Sequence, residues 1–177
     1  MNIIVSFSGR RDGNCDMIAK YISLKDDLIL YMREICIQPC ADCNYECMSG
    51  KCKYHGDGVY SLFEQFNIAD KIFFIVPMYC GNPSALYFIL NERSQGYFMQ
   101  NENQWNNMVE KLYIIGVYGS AEEYPVFLRS FALQYSFADV EKHILGFERH
   151  KYKQKMDSFL LDEDDVKLKL DIFINRH

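Results

Sequence analysis

No apolar run in these 177 residues approaches the ~20 needed to cross a bilayer. The opening residues, MNIIVSFSG, lack a basic segment, a long apolar stretch and a small-residue cleavage site, so they read as mature protein. A cytoplasmic location is the resulting expectation. Internal repeats, low-complexity tracts and Pro/Gly/Ser-rich linkers are missing too, which favours one domain over residues 1–177. There is no excess of positive charge. The formal net charge is −5, so a broad nucleic-acid-binding face is not expected, and neither nucleic acid nor membrane is expected as a partner. What the chain does have is apolar content: 49% hydrophobic residues, too much for disorder and enough for a substantial core.

Several motifs are missing as well. No G-x-x-x-x-G-K-[ST] occurs, which argues against a P-loop nucleotidase. Gly56-Asp57-Gly58 lacks the third glycine of a dinucleotide fingerprint and does not follow a strand. No cysteine is followed by arginine six positions later, as the usual phosphatase loop requires. A receiver domain would place acidic residues after the first strand and at the end of the third. Those places hold Ser-Gly-Arg and Pro-Met.

The hydrophobic pattern alternates strand and helix. Residues 3–7, 28–32, 71–77, 112–118 and 143–147 read as strands. Helices are expected over 13–24 (Met17, Ile18, Tyr21 and Ile22 on one face), 59–68, 82–93, 125–137 and 162–176. Asn82-Pro83 reads as the N-cap and first residue of the third helix. In the last helix, DEDD at the start and Arg176-His177 at the end complement the dipole. This order predicts an α/β fold, a parallel sheet of five strands with helices on both faces. Ligands bind such sheets at the carboxyl ends of the strands. Loops 8–15, 77–83 and 119–124 are therefore the candidate site.

Loop 8–15, "SGRRDGNC", suits an anion. Gly9 and Gly13 relax the backbone, Ser8 offers a hydroxyl, Arg10 a charged fork and Asn14 an amide at a helix N-terminus. A solvated turn with an Asn cap accounts for the same residues. Loop 77–85, "PMYCGNPSA", supplies Tyr79 to lie along a planar ring, Gly81 for close backbone approach and Asn82 for polar contacts. The bland counterpart is a Pro-bounded turn. "GVYGSAEE", 116–123, brings more small residues to the same edge. Together the loops could hold one phosphate and one flat ring. The aromatic-rich segment 97–105 is expected to be a long connection, serving either as a partner surface or as a lid over the ring.

Five of the seven cysteines fall between 36 and 52, inside a loop expected over 36–57. Cys40, Cys43, Cys47 and Cys52 have the spacing C-x₂-C-x₃-C-x₄-C, which can close around zinc or a cubane cluster. Thiols without metal are the third reading. Cys36 can substitute for one ligand, and His55 reads as a solvated loop residue.

With Phe7-Ser8-Gly9-Arg10-Arg11-Asp12-Gly13-Asn14-Cys15 set beside Val76-Pro77-Met78-Tyr79-Cys80-Gly81-Asn82-Pro83-Ser84-Ala85 and Glu92-Arg93, the chain resembles the flavodoxin-fold NAD(P)H-dependent FMN reductases and iron–sulfur flavoproteins. Their loops read roughly G-S-P-R-x-x-G-N-T and S-P-V-Y-x-G-x-x-S-A. The likeness covers about residues 2–93 and implies a flavodoxin-like, doubly wound sheet of five strands in the order 2-1-3-4-5. It implies that Ser8, Arg10, Gly13, Asn14 and Cys15 hold the FMN phosphate, that Pro77, Met78, Tyr79, Cys80, Gly81 and Asn82 line the isoalloxazine, and that Gly119 and Ser120 contact its far side. Gly9 stands in place of Pro, Phe7 of Gly and Cys15 of Thr, which weakens the phosphate site. The resemblance further implies NAD(P)H as co-substrate, a quinone, flavin or other small-molecule acceptor, and a homodimer or homotetramer. It gives an iron–sulfur cluster on Cys40, Cys43, Cys47 and Cys52 as one option, with the second cysteine gap one residue longer than in that group. Two other functions fit the same residues: a non-enzymatic FMN electron carrier, with or without a cluster, and a domain that keeps only a metal-bound loop.

Overall fold

The computed structural model describes residues 1–50, 52–99, 101–119, 125–152 and 158–175. Its centre is the strand Ile72–Tyr79 (β3), an apolar run buried along its first six residues, as a strand covered on both faces must be. Ile3–Ser6 (β1) and Leu28–Tyr31 (β2) lie to one side. Leu112–Tyr118 (β5) and Ile144–Glu148 (β6) lie to the other. All four pairings are parallel, in the order β2-β1-β3-β5-β6. Counting only these five strands, that is the 2-1-3-4-5 arrangement expected from the sequence.

The sixth strand corrects one reading. Asn82–Pro83 (β4) does not begin a helix. It folds back antiparallel on Met78 and Tyr79. The two residues at the tip, Cys80 and Gly81, both have positive φ, at 50° and 81°. A two-residue hairpin of type I′ needs that sign at both positions, and glycine supplies it without strain at the second. The helix Ala85–Phe98 (α3) starts two residues later, capped by Ser84, whose hydroxyl accepts from the Tyr87 N–H.

Helices cover both faces. Asn14–Ile22 (α1) and Asp164–Ile174 (α7) pack against Ile4, Phe73, Ile75, Tyr113 and Ile115. The inward face of α1 is Cys15, Ile18, Ala19 and Ile22, so the expected stripe is shifted: Met17 is half-buried, and Tyr21 reaches out to Asp171. The other face carries Gly58–Ile68 (α2), α3, Glu102–Glu110 (α4) and Val126–Tyr135 (α5) against Ile3, Val5, Phe74 and Ile114. α4 is the second correction. The segment expected to be a long connection is helical, and Trp105 packs on Phe98 and Tyr135. α4 ends two residues before β5 begins, so its C-terminal end lies at the amino edge of the sheet. A short turn, Val140–His143 (α6), precedes β6. The α7 boundaries bear out the helical reading of the C-terminal region, while Arg176 and His177 lie outside the described residues.

Candidate active site

A cleft of about 250 Å³ opens at the carboxyl ends of β1, β3 and β5. Ser8, Arg10, Gly13, Asn14 and Cys15 line one part of it, and Pro77, Met78, Tyr79 and Gly119 another. These are nine of the residues the sequence singled out. Cys80, Gly81 and Asn82 stand at the exposed tip of the hairpin, outside the lining of the cleft. Ser120 lies outside the described residues. Three further lining residues, two of them inside the segment 116–123, were not named singly as ligands: Val117, Tyr118 and Arg149. The first two belong to β5, and their register could have suggested them. Arg149 follows β6, and only the parallel pairing of Tyr118 with Glu148 brings it to the site.

The anion end is built from a helix N-terminus without a side-chain cap. Gly13 is the N-cap of α1, and among the described residues there is no side-chain cap hydrogen bond to its first turn. Its leading N–H groups therefore retain their donor capacity beside Arg10. Arg10 is exposed and forms no salt bridge among the described residues, whereas Arg11 points to solvent and pairs with Glu34 at 2.9 Å. The Ser8 hydroxyl is turned inward. It accepts from the Arg10 N–H and bonds the Arg10 carbonyl, both at 3.1 Å, so it shapes the loop. Asn14 uses its side-chain oxygen to accept from the Leu160 N–H at 2.7 Å, which leaves the amide nitrogen as its donor for a ligand. Cys15 is 3% exposed and packs with Ile18 and Ala19. Burial, and then the charge of Asp16, pushes its thiol well above the usual range, so it stays a neutral space-filling group.

The other end is more apolar. Pro77 and Met78 come from the last residues of β3, and Tyr79 is half-exposed beside them. Across from them lie Val117, Tyr118 and Gly119. Burial, followed by Glu148 and Tyr152, raises the Tyr118 phenol, which stays protonated at neutral pH. The His150 N–H donates to the Gly119 carbonyl at 3.1 Å, fixing the strand end. The donor set suits a phosphate joined to a planar ring: open N–H groups and a guanidinium at one end, and apolar strand ends at the other.

The cysteine loop is a separate feature. Cys40, Cys43, Cys47 and Cys52 line one small cavity with Tyr54, Glu92, Arg93 and Gly96. Among the described residues, however, no three His, Cys, Asp or Glu side chains are placed to hold a metal ion. The Arg93 guanidinium occupies that space. It reaches Cys52 Sγ at 3.6 Å, donates to the carbonyls of Gln38 and Tyr54, and pairs with Asp57. Burial, then the neighbouring thiols Cys43 and Cys47, raises the Cys40 thiol. The four thiols thus share one cavity with a buried arginine.

Neither a protein-family model nor a curated protein matches the chain. Solved structures do. The Trp repressor binding protein from Bacillus subtilis superposes with a TM-score of 0.68 at 14% identity, covering 100% of this chain and 99% of that one. Azoreductase from Bacillus anthracis str. Sterne gives 0.59 at 9% identity, over 99% and 97%. FerB, described as a flavoenzyme NAD(P)H:(acceptor) oxidoreductase from Paracoccus denitrificans, gives 0.50 at 12% identity, over 98% and 94%. The fold is flavodoxin-like.

Proposed function

We propose that the cleft binds FMN and that the protein is an FMN-dependent NAD(P)H oxidoreductase delivering electrons to a quinone, a flavin or another small-molecule acceptor. One observation carries this reading. An uncapped helix N-terminus with Arg10 stands at one end of a cleft whose other end is a slot between the ends of β3 and β5. That combination meets the needs of a phosphate joined to a flat ring at the switch point of a doubly wound sheet. The flavoenzyme among the similar structures adds weight at the level of chemistry.

Bound FMN would supply hydride acceptance from the nicotinamide and electron delivery to the acceptor; that chemistry belongs to the cofactor. The chain's own share is placement. The leading N–H groups of α1, the Asn14 amide and Arg10 would hold the phosphate. Pro77, Met78 and Tyr79 on one side, and Val117, Tyr118 and Gly119 on the other, would orient the ring and narrow the access of water. Arg149 adds positive charge to the cleft wall. The reading requires no general acid or base from the protein. It includes a homodimer or homotetramer that completes the pocket.

The test is anaerobic. Purified protein is titrated with FMN, following quenching of flavin fluorescence, and NADH or NADPH is then added. Tight uptake followed by loss of the flavin's visible absorption is expected. FMN that binds but stays oxidised with either nicotinamide would assign an electron carrier. Absence of uptake overturns the reading.

A further inference from the structure

The phosphate loop rests on a buried ion pair. Asp16 is the third residue of α1 and 1% exposed. Its carboxylate accepts from the Ser6 hydroxyl at 2.7 Å, from the Asp12 N–H at 2.9 Å and from two nitrogens of Arg33, at 3.0 and 2.9 Å. Arg33, from the short turn after β2, also donates to the Ser8 carbonyl at 3.2 Å and lies over the Tyr31 ring. Two side chains thus join the end of β1, both halves of loop 8–13, the first turn of α1 and the segment leaving β2.

Stability alone is a weak reason for such a pair. A buried ion pair returns little net free energy over an apolar replacement. Its position is more telling. A carboxylate in the first turn of α1 lies under the N–H groups proposed to receive a phosphate, and unneutralised it would repel that phosphate. Arg33 cancels this charge from below while pulling the Ser8 carbonyl down. Asp16 in turn takes the Asp12 N–H, which holds Asp12 at φ 51°, a conformation non-glycine residues seldom adopt.

We infer that Arg33 and Asp16 are positioning residues of the phosphate subsite, a charge-neutral clamp that sets the curvature and field of loop 8–13 without touching the ligand. This rests on the FMN reading and deepens it. The clamp would act on the phosphate and leave the ring slot alone, which separates it from a merely structural role.

The experiment compares FMN with riboflavin, which lacks the phosphate, by fluorescence titration of the full chain. Arg33→Gln is expected to weaken FMN by about tenfold or more while riboflavin affinity is kept. Adding Asp16→Asn to it removes the uncompensated buried charge and recovers most of the loss. Arg33→Lys keeps the charge but cannot span both Asp16 and Ser8, so its FMN-to-riboflavin ratio falls between wild type and Arg33→Gln. It serves as the test if Arg33→Gln does not fold. An unchanged ratio in the folded Arg33 variants overturns the clamp while leaving the FMN site intact. Equal weakening of both ligands reduces it to a structural pair and overturns it equally. Wild-type protein that takes up no FMN removes the functional reading itself, and the inference with it.

Discussion

The hydroxyl of Ser84 donates to the carbonyl of Phe7 at 2.8 Å, across 77 positions of sequence. The same oxygen caps α3 by accepting the Tyr87 N–H. One buried side chain therefore fixes the distance between the loop that follows β1 and the hairpin that follows β3, the two halves of the proposed FMN site.

Ser84→Ala removes the cap and the link together. A loss of about 1–2 kcal/mol in unfolding free energy is expected from denaturant titration. FMN affinity should fall with it, since the two loops lose their common tether. Normal stability together with normal affinity would show that the link is dispensable.

Arg10 touches the cleft and forms no salt bridge among the described residues. Arg10→Gln should leave the unfolding midpoint where it is. By calorimetry, FMN binding should weaken about 10–100-fold, the worth of one charge-assisted contact, with riboflavin binding unaffected.

Asp57 predicts an acid limb in stability. Burial opposes its ionisation, but the Arg93 guanidinium and the N–H groups of Gln38 and Val59 outweigh this and hold its carboxyl below the ordinary range. The folded state thus keeps the carboxylate ionised to lower pH than the unfolded chain. The contribution is present above the unfolded value of about 3.9 and is lost as pH falls through the folded one. Asp57→Asn should destabilise the protein at neutral pH by on the order of 3 kcal/mol, because Arg93 is left buried without its counter-ion. It should also flatten the stability profile between about pH 5 and 3.

Alkylation followed by mass spectrometry should sort the cysteines. Cys36 and Cys80 are exposed, while Cys15 is buried with its thiol pushed up. At about pH 8, iodoacetamide should modify Cys36 and Cys80 early and leave Cys15 unmodified in the folded protein. Equal labelling of all three would contradict the packing of α1 against the sheet.

Gly116→Ala tests how α5 sits on the sheet. A methyl group there would come within 2.5 Å of Leu128 Cδ2 and 2.9 Å of Phe127 Cε1. Because both neighbours belong to one docked helix, the expected cost is about 1–3 kcal/mol by thermal or chemical unfolding.

The strands were legible because a parallel sheet buried on both faces must be written as apolar runs, as in residues 72–76. The alternation of those runs with amphipathic stretches was enough to set a parallel sheet with helices on both faces, while the strand order came from the likeness of two loops to a known family. Residues of the site that follow a strand end, such as Ser8, Asn14 and Pro77, were legible for the same reason. The turn at Cys80-Gly81 was misread because Asn-Pro is as good a helix start as it is a returning strand, and only pairing with Met78 and Tyr79 separates the two. α4 was missed because its polar residues mask a narrow apolar stripe ending in the buried Met108.

The sequence by itself determined the layered α/β architecture and the edge at which a ligand binds, since both follow from local periodicity and from strand–helix alternation. Tertiary structure alone decided what the charged and sulfur-bearing side chains do. Asp16 found Arg33 and not solvent, Arg93 came to line the cavity of the clustered cysteines, and Arg149 reached the cleft through a neighbouring strand. A charge is placed by whichever partner offsets its desolvation, and that partner is chosen by folding, not by position in the chain.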